Sequence, residues 1–405
     1  MKPIVRAGRM KPVHSDIRGP LFVEAMKRQK QGIDILKLNT GNPATFGFGL
    51  PDSIKNALME HMQDGVGYCD FKGMPQARQA ICDYETSKGI KGITSDDVFI
   101  GNGVSEVVSF ALTPLLNDGD EVLVPSPSYS LWGNSVYLED GKPVFYTCDE
   151  QANWYPDIKD IRSKITDKTK AIVIINPNNP TGVLYPKELL LEIIQIAREF
   201  GLLIFADEIY DRLVMDGKQH ISLASLTEDV PVITLNGLSK SHCLCGYRCG
   251  WMVISGPREL TEDYRQGIIQ LTSLRLCANT LAQIVIPAAL DDMDTPASMV
   301  RPGGRIYEQR EATVRELEKI DGLSFVKNDA AFYVFPKLDV KKFNITNDKQ
   351  FAHDLLDATN ILLVPGSGFD WKDPDHFRIV MLPQADILSD AIRRMGTFLD
   401  GYKQK

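Results

Sequence analysis

From about residue 95 the chain alternates between two kinds of apolar pattern. Short runs rich in Val and Ile are apolar at nearly every position: DVFIG (97–101), EVLVPS (121–126), PVFYTC (143–148), AIVIIN (171–176), LLIFADE (202–208), VITLNG (232–237) and GWMVIS (250–255). A strand wetted on one side would alternate apolar with polar, so continuous runs predict strands buried on both faces, as in a parallel sheet. Between several of them the period becomes that of a helix. Val104, Val107, Val108, Ala111, Leu112 and Leu115 recur at three- and four-residue spacing, and PKELLLEIIQIAREF (186–200) does the same. This alternation predicts an α/β fold, a mostly parallel sheet covered by helices on both faces. Beyond Trp251 the rhythm changes. A long helical segment at 303–320 is followed by strand-like AAFYVFPKL (330–338), ILLVPG (361–366) and HFRIVML (376–382), then a closing helix over roughly 384–402. These pieces predict a smaller α+β domain.

Composition narrows the function classes. The 405 residues suffice for two compact units, and 43% hydrophobic with 24% charged residues is the balance of an ordered globular chain. A net charge of −8, from 45 basic and 53 acidic residues, opposes binding to nucleic acid or an anionic membrane. Any anion must therefore be held by local positive groups. The start, MKPIVRAGRMKPV, has no apolar signal region, and the longest apolar runs are far too short to span a bilayer. Seven cysteines at irregular spacing form no disulfide framework, so a reducing cytoplasm is the expected compartment. Cys243, Cys245 and Cys249 are close in sequence, but no CxxC pair accompanies them and His242 is their one histidine neighbour. That spacing matches no common zinc site, and packing around a crowded turn is the expected role.

In open α/β sheets ligands gather at the carboxyl ends of the strands, so the residues just after each run carry the candidate chemistry. GNGVSE (101–106) follows a strand and opens a helix, where free N–H groups favour a phosphate; the same glycines also suit a plain β–α turn. Glu106 stands where a dinucleotide fingerprint needs a third glycine, which disfavours a nicotinamide dehydrogenase. INPNNPTG (175–182) builds a rigid turn, and its amides point to ligand contact by Asn179. Asp207 in ADEIY ends an apolar strand, where a carboxylate needs a positive partner: a lysine, an arginine or a protonated ring nitrogen. Lys240 in NGLSKSHCLCGYRCGW lies at another strand end with Arg248 nearby. Partial desolvation and that guanidinium are expected to disfavour its ammonium form, leaving an amine able to form a Schiff base. A phosphate loop, a buried acid, a lysine and an arginine together match what pyridoxal phosphate requires.

With IRGP, GNPATFGF, GYCDFKG, NPNNPTG, NGLSK, RLCAN and PGGRIYEQR, the chain resembles the fold-type-I, pyridoxal-phosphate-dependent class I aminotransferases from about residue 36 to the C-terminus. Within that family it is similar to the bacterial glutamate–pyruvate (alanine) branch. The resemblance implies that Lys240 joins the cofactor's aldehyde as an imine and that Asp207 pairs with the pyridinium nitrogen. Tyr210 and Asn179 would bond the ring's phenolic oxygen, and Tyr129 would stack on the ring. Gly103, Val104 and Ser105 would cradle the phosphate with Arg248 and, from a second subunit, Tyr68. Gly41, Asn179 and Arg378 would take the substrate's α-carboxylate, Arg378 as a bidentate fork. Many relatives carry a serine three residues before the lysine; here Gly237 stands there, and Ser239 or a backbone amide is expected to compensate.

The resemblance further implies a cytoplasmic homodimer, a cofactor domain over roughly 45–285, and a small domain combining 1–44 with 286–405. The expected reaction moves an amino group between glutamate and pyruvate, giving 2-oxoglutarate and alanine. The alternatives are other donors (valine, aspartate or aromatic amino acids) or a C–S lyase of the same fold, which needs no stoichiometric amino acceptor. Alanine carries no side-chain carboxylate and glutamate does, so glutamate needs a second cation, and a mobile one is the simplest solution. Arg18 in SDIRGP is the candidate, with a surface ion pair as the plainer reading.

Overall fold

The computed structural model describes residues 2–405. Each of the seven Val- and Ile-rich runs between residues 97 and 255 forms a strand of one eight-stranded sheet. The strands are β1 (Val98–Asn102), β2 (Glu121–Ser126), β3 (Lys142–Asp149), β4 (Tyr155–Pro156), β5 (Thr169–Ile175), β6 (Leu203–Asp207), β7 (Val232–Gly237) and β8 (Cys249–Ser255). Their order is β1-β8-β7-β6-β5-β2-β3-β4. The neighbours from β7 to β3 are parallel, whereas β8 runs antiparallel to both β1 and β7, and β4 antiparallel to β3.

Both faces of this sheet are buried, which is why its strands read as continuous runs. Along β5, Ala171, Val173 and Ile175 join one core cluster while Ile172 and Ile174 join another on the opposite face. The helix Lys187–Phe200 buries Leu189, Leu190, Ile193, Ile194, Ile196 and Ala197 against the second cluster. Burial of each large aliphatic side chain contributes about 1.5–3 kcal/mol. Gly201, at φ +66, ends that helix in the left-handed conformation that costs glycine least.

The C-terminal half has its own core, including Leu317, Val334, Leu338, Phe351, Leu355, Phe377, Ile379, Leu388, Ile392 and Leu399. The helix expected at 303–320 covers Arg305–Leu317, and the closing helix covers Ala385–Leu399. AAFYVFPKL does not form one strand. It breaks into Tyr333–Val334 and Lys337–Leu338 around Pro336, which has no N–H for a sheet ladder. The N-terminal segment returns to this half: Leu36–Lys37 pairs in parallel with Ile361–Leu362.

Strand direction fixes where the chemistry lies. The carboxyl ends of β1, β2, β5, β6 and β7 share one edge. Because β8 runs the other way, its first residues reach that edge too, with Asn102 opposite Cys249 and Gly237 opposite Gly250.

Candidate active site

At the end of β6, Asp207 is buried, and its Oδ2 accepts a hydrogen bond from Trp132 Nε1 at 3.1 Å. The backbone N–H of Ile209 approaches Oδ1 at 3.4 Å. Burial pushes the carboxyl up to about 6, more than these donors pull it down, and Glu208 beside it adds repulsion. Such a carboxylate is left wanting a cation, the condition a protonated ring nitrogen meets.

Lys240 lies in the short helix Leu238–Ser241 that follows β7. Its Nζ donates to the Gly41 carbonyl at 3.0 Å and lies 3.9 Å from Cys245 Sγ. The expected effect on its charge runs the other way. Burial does lower its pKa, but Tyr333, Cys245 and Tyr129 raise it by more, so the net shift is upward and the ammonium is favoured. The cation acting against it is Arg378 rather than Arg248. Arg248 is exposed, its Nη1 donating to the Cys245 carbonyl at 3.0 Å.

Gly103 caps the helix Val104–Leu112, so the N–H groups of Val104 and Ser105 belong to its open first turn. At Gly103, φ is +86 and a Cβ would lie 2.3 Å from Arg248 Nη2, so the guanidinium rests directly against the loop. Glu106 braces the same turn: it accepts from Asn102 N at 2.7 Å and from Arg275 Nη1 at 2.5 Å. A helix N-terminus with an exposed guanidinium against it suits one phosphate. Gly237 is explained by space, since a Cβ there would meet the Cys249 carbonyl at 2.5 Å; β8 passes too close for a serine.

Arg378 is buried, with Nη1 donating to Asn179 Oδ1 at 2.9 Å and Nη2 to the Asn39 carbonyl at 2.5 Å. Its Nε has no partner, and its guanidinium carbon lies 4.5 Å from the Tyr333 ring centroid and 4.6 Å from that of Phe369. Burial lowers its pKa, as expected for a desolvated cation whose partners are neutral. A fork held between two rings, with an N–H unsatisfied, is prepared for a carboxylate.

Tyr210 is buried and shares a hydrogen bond of 2.8 Å with Tyr333. Tyr129, half-buried, follows β2 and precedes Trp132. Thus Gly41, Asn179, Tyr210, Lys240 and Arg378 are linked by direct contacts through Tyr333, and Asp207 lies within reach of Lys240's charge. Tyr68 is not brought to this cluster and is 83% exposed. Arg18 is exposed on the N-terminal segment, where the preceding Ile17 carbonyl accepts from Asn39 Nδ2 at 2.8 Å.

Sequence reasoning missed Tyr333, Trp132 and Asn39. Tyr333 was read only as a strand residue, although it touches the position of Gly41, Tyr210 and Arg378 at once. Its signal was an aromatic at the start of a short, proline-broken strand. Asn39 acts through its backbone carbonyl, which no side-chain pattern reveals.

A buried amine, a buried carboxylate and a helix N-terminus beside a guanidinium, gathered on one sheet edge, suit the amine, ring and phosphate chemistry of a pyridoxal-phosphate enzyme of fold type I. Residues 33–392 match the family described as aminotransferase class I and II. The chain is 50% identical over 404 residues to glutamate-pyruvate aminotransferase AlaA of Haemophilus influenzae, covering 100% of both. Among solved structures, an aminotransferase from Escherichia coli is similar at a TM-score of 0.98 and 47% identity, covering 100% of both chains. Alanine aminotransferase from Pyrococcus furiosus is similar at a TM-score of 0.92 and 41% identity, over 98% of this chain and 100% of that one. The chain belongs to the class I and II aminotransferase family and is a pyridoxal-phosphate-dependent enzyme.

Proposed function

We propose that this enzyme moves an amino group between glutamate and pyruvate, giving 2-oxoglutarate and alanine, as a cytoplasmic homodimer. The observation that carries the transfer itself is the buried, incompletely satisfied Arg378 fork in the same side-chain cluster as Lys240 and Asp207. The choice of substrates is supported by the names of the relatives just given. Pyridoxal phosphate, when bound, supplies an electrophilic carbon for the substrate amine and a protonated ring that accepts electrons.

The residues divide the remaining work. Arg378 and Asn179 hold the α-carboxylate, with Gly41 beside them, and so orient the Cα–H bond. Lys240 would hold the cofactor through Nζ and, once that amine is free, would take up and hand back the substrate's α-proton there. Asp207, held by Trp132, keeps the ring nitrogen protonated. Tyr210 and Asn179 bond the phenolic oxygen, Tyr129 covers the ring face, and Gly103, Val104, Ser105 and Arg248 hold the phosphate. Tyr68 of the partner subunit completes that cradle.

The dimer is supported by exposed apolar side chains on two segments that lie together. Met59, Met62 and Val66 are exposed near Tyr68, and Leu274, Leu276 and Leu281 are exposed across the Thr280 Oγ1 to Gly65 carbonyl bond of 2.7 Å. The domain division we favour is roughly 45–285 and 1–44 with 286–405, supported by the pairing of Leu36–Lys37 with Ile361–Leu362. No single helix among the described residues is long and apolar enough to cross a membrane.

Arg18 is our candidate for the glutamate side-chain carboxylate. In Arg18→Ala the glutamate half-reaction is expected to lose about 30-fold or more in kcat/KM while the alanine half-reaction changes little. Holoenzyme mixed with one amino acid at a time tests the whole reading. Alanine and glutamate each bleach the cofactor's absorption band without an acceptor, whereas valine and aromatic donors do so far more slowly. Faster reaction with valine or an aromatic donor would replace the proposed substrates.

A further inference from the structure

Behind Asp207 lies a second buried charge cluster. Lys88, at the end of the helix Pro75–Ser87, points its largely buried ammonium at Glu85 Oε2 (2.8 Å), Glu208 Oε2 (2.7 Å) and Asp211 Oδ2 (3.1 Å). Glu208, Asp211 and His220 bring ligand atoms within 4.8 Å of one another, spacing that suits a divalent cation, but the Lys88 ammonium already stands among them.

Each carboxylate is tied to a different part of the cofactor domain. Glu85 accepts from Trp251 Nε1 of β8 at 3.1 Å. Glu208 accepts from Ser222 Oγ at 2.9 Å and Leu223 N at 3.1 Å. Asp211 accepts from Tyr84 OH at 2.6 Å and from Asn236 Nδ2 at 2.7 Å, and Asn236 Oδ1 in turn accepts from Gly237 N, three residues before Lys240. Other charged or titratable groups facing the cluster include Arg212, stacked 4.3 Å over the Tyr84 ring, and two histidines whose pKa burial lowers, His220 and His242, the latter within reach of the charges of Arg212 and Asp211. Burial also pushes the Glu85 carboxyl up, against the pull of Lys88.

We propose that Lys88 is a positioning residue of the cofactor site. Its ammonium pins the 207–211 turn and cancels the charge of Glu208 beside Asp207, so that Asp207 remains a carboxylate for the ring nitrogen. The inference rests on the reading of Asp207 as that partner. Two facts give it weight. Glu208 adjoins Asp207 in the chain and repels it. Lys88 is the cation closest to Glu208 among the ion pairs of the described residues, at 2.7 Å.

Binding of pyridoxine 5′-phosphate to cofactor-free protein tests it, because this alcohol carries the ring nitrogen and phosphate but forms no bond with Lys240. Affinity is measured by equilibrium dialysis between pH 5 and 8, and only differences between variants are read, since the ligand's own ionisations are common to all. Lys88→Met keeps the volume and removes the charge, and is expected to move the acid limb upward. A limb about one pH unit higher weakens binding at pH 6 about fivefold. Glu208→Gln alone moves the limb downward, and Lys88→Met with Glu208→Gln returns it toward wild type. The Glu208→Gln arm keeps the test decisive if Lys88→Met fails to fold. A limb that stays put in both single variants, or binding that weakens equally at every pH in Lys88→Met, overturns the inference and leaves Lys88 a structural ion pair. Asp207→Asn separates the two readings: loss of the acid limb in that variant keeps Asp207 in its role, and its persistence shows that the assignment of Asp207 is what failed.

Discussion

The chemistry of the site is set by a few side chains whose environments oppose their ordinary charge states. Asp207 is the clearest. A carboxyl held at about 6 instead of its ordinary 3.8 costs the cofactor-free fold roughly 3 kcal/mol at neutral pH. The sign follows from linkage: the stabilisation comes from the bound proton, is fully present below the unfolded value, and is lost as pH rises through about 6. Asp207→Asn is therefore expected to raise the melting temperature of the cofactor-free protein at pH 7 while lowering kcat/KM of the loaded enzyme on the order of 10³-fold. A variant both less stable and fully active would contradict the role. Lys240→Ala should abolish transfer and leave phosphate binding, because the loop and Arg248 remain. Gly237→Ser, which restores the residue many relatives carry, should cost roughly 1–3 kcal/mol in a denaturant melt, since the backbone of β8 occupies the space its Cβ needs. Lys240, Asp207, Asn179 and Arg378 were legible because each sits at a strand end or in a family motif. The upward shift of Lys240 was not legible, because it comes from Tyr333 and Tyr129, distant in sequence, and from Cys245, five residues on.

Elements differ in how far sequence specifies them. Seven strands of the large sheet are legible because each carries enough consecutive buried side chains to mark itself, whereas the two-residue edge strand Tyr155–Pro156 carries no such run. The strand pairs of the small half have two to four residues each and take their identity from tertiary contacts, so one apparent strand became two. The N-terminal segment is another such case. Nothing in its composition shows that His14 clasps both halves, its ring Nε2 3.1 Å from Asp370 Oδ1 and its backbone N–H donating to Asn134 Oδ1 at 3.1 Å. Bonds to Asp16 and Asp370 hold the imidazole's pKa up at about 9. A raised histidine stabilises the clasp fully below its unfolded value near 6.5 and loses that contribution as pH rises through about 9. Amide exchange over residues 2–20 should therefore quicken, beyond the intrinsic rate, between pH 8 and 10, and His14→Ala should remove the step. Because Arg18 lies on the same segment, the glutamate half-reaction should weaken in that range more than the alanine half-reaction.

In the whole molecule, Arg248 is exposed at the Gly103 loop, and exposed apolar side chains gather near Tyr68. Leu274→Asp places a charge where a second subunit would pack, and sedimentation should show the wild type as a dimer and the variant shifted toward monomer with weaker cofactor retention. A monomeric wild type would remove Tyr68 from the cradle. With a net charge of −8 any anion must be held by local positive groups, and Arg378 is such a group, with no carboxylate among its hydrogen-bond partners. The reaction itself is tested most directly by following the nitrogen. Holoenzyme given [15N]glutamate and unlabelled pyruvate should yield [15N]alanine and 2-oxoglutarate in equal amounts, with no free ammonium, as read by NMR. Label released as ammonium, or 2-oxoglutarate formed without [15N]alanine, would contradict the assignment.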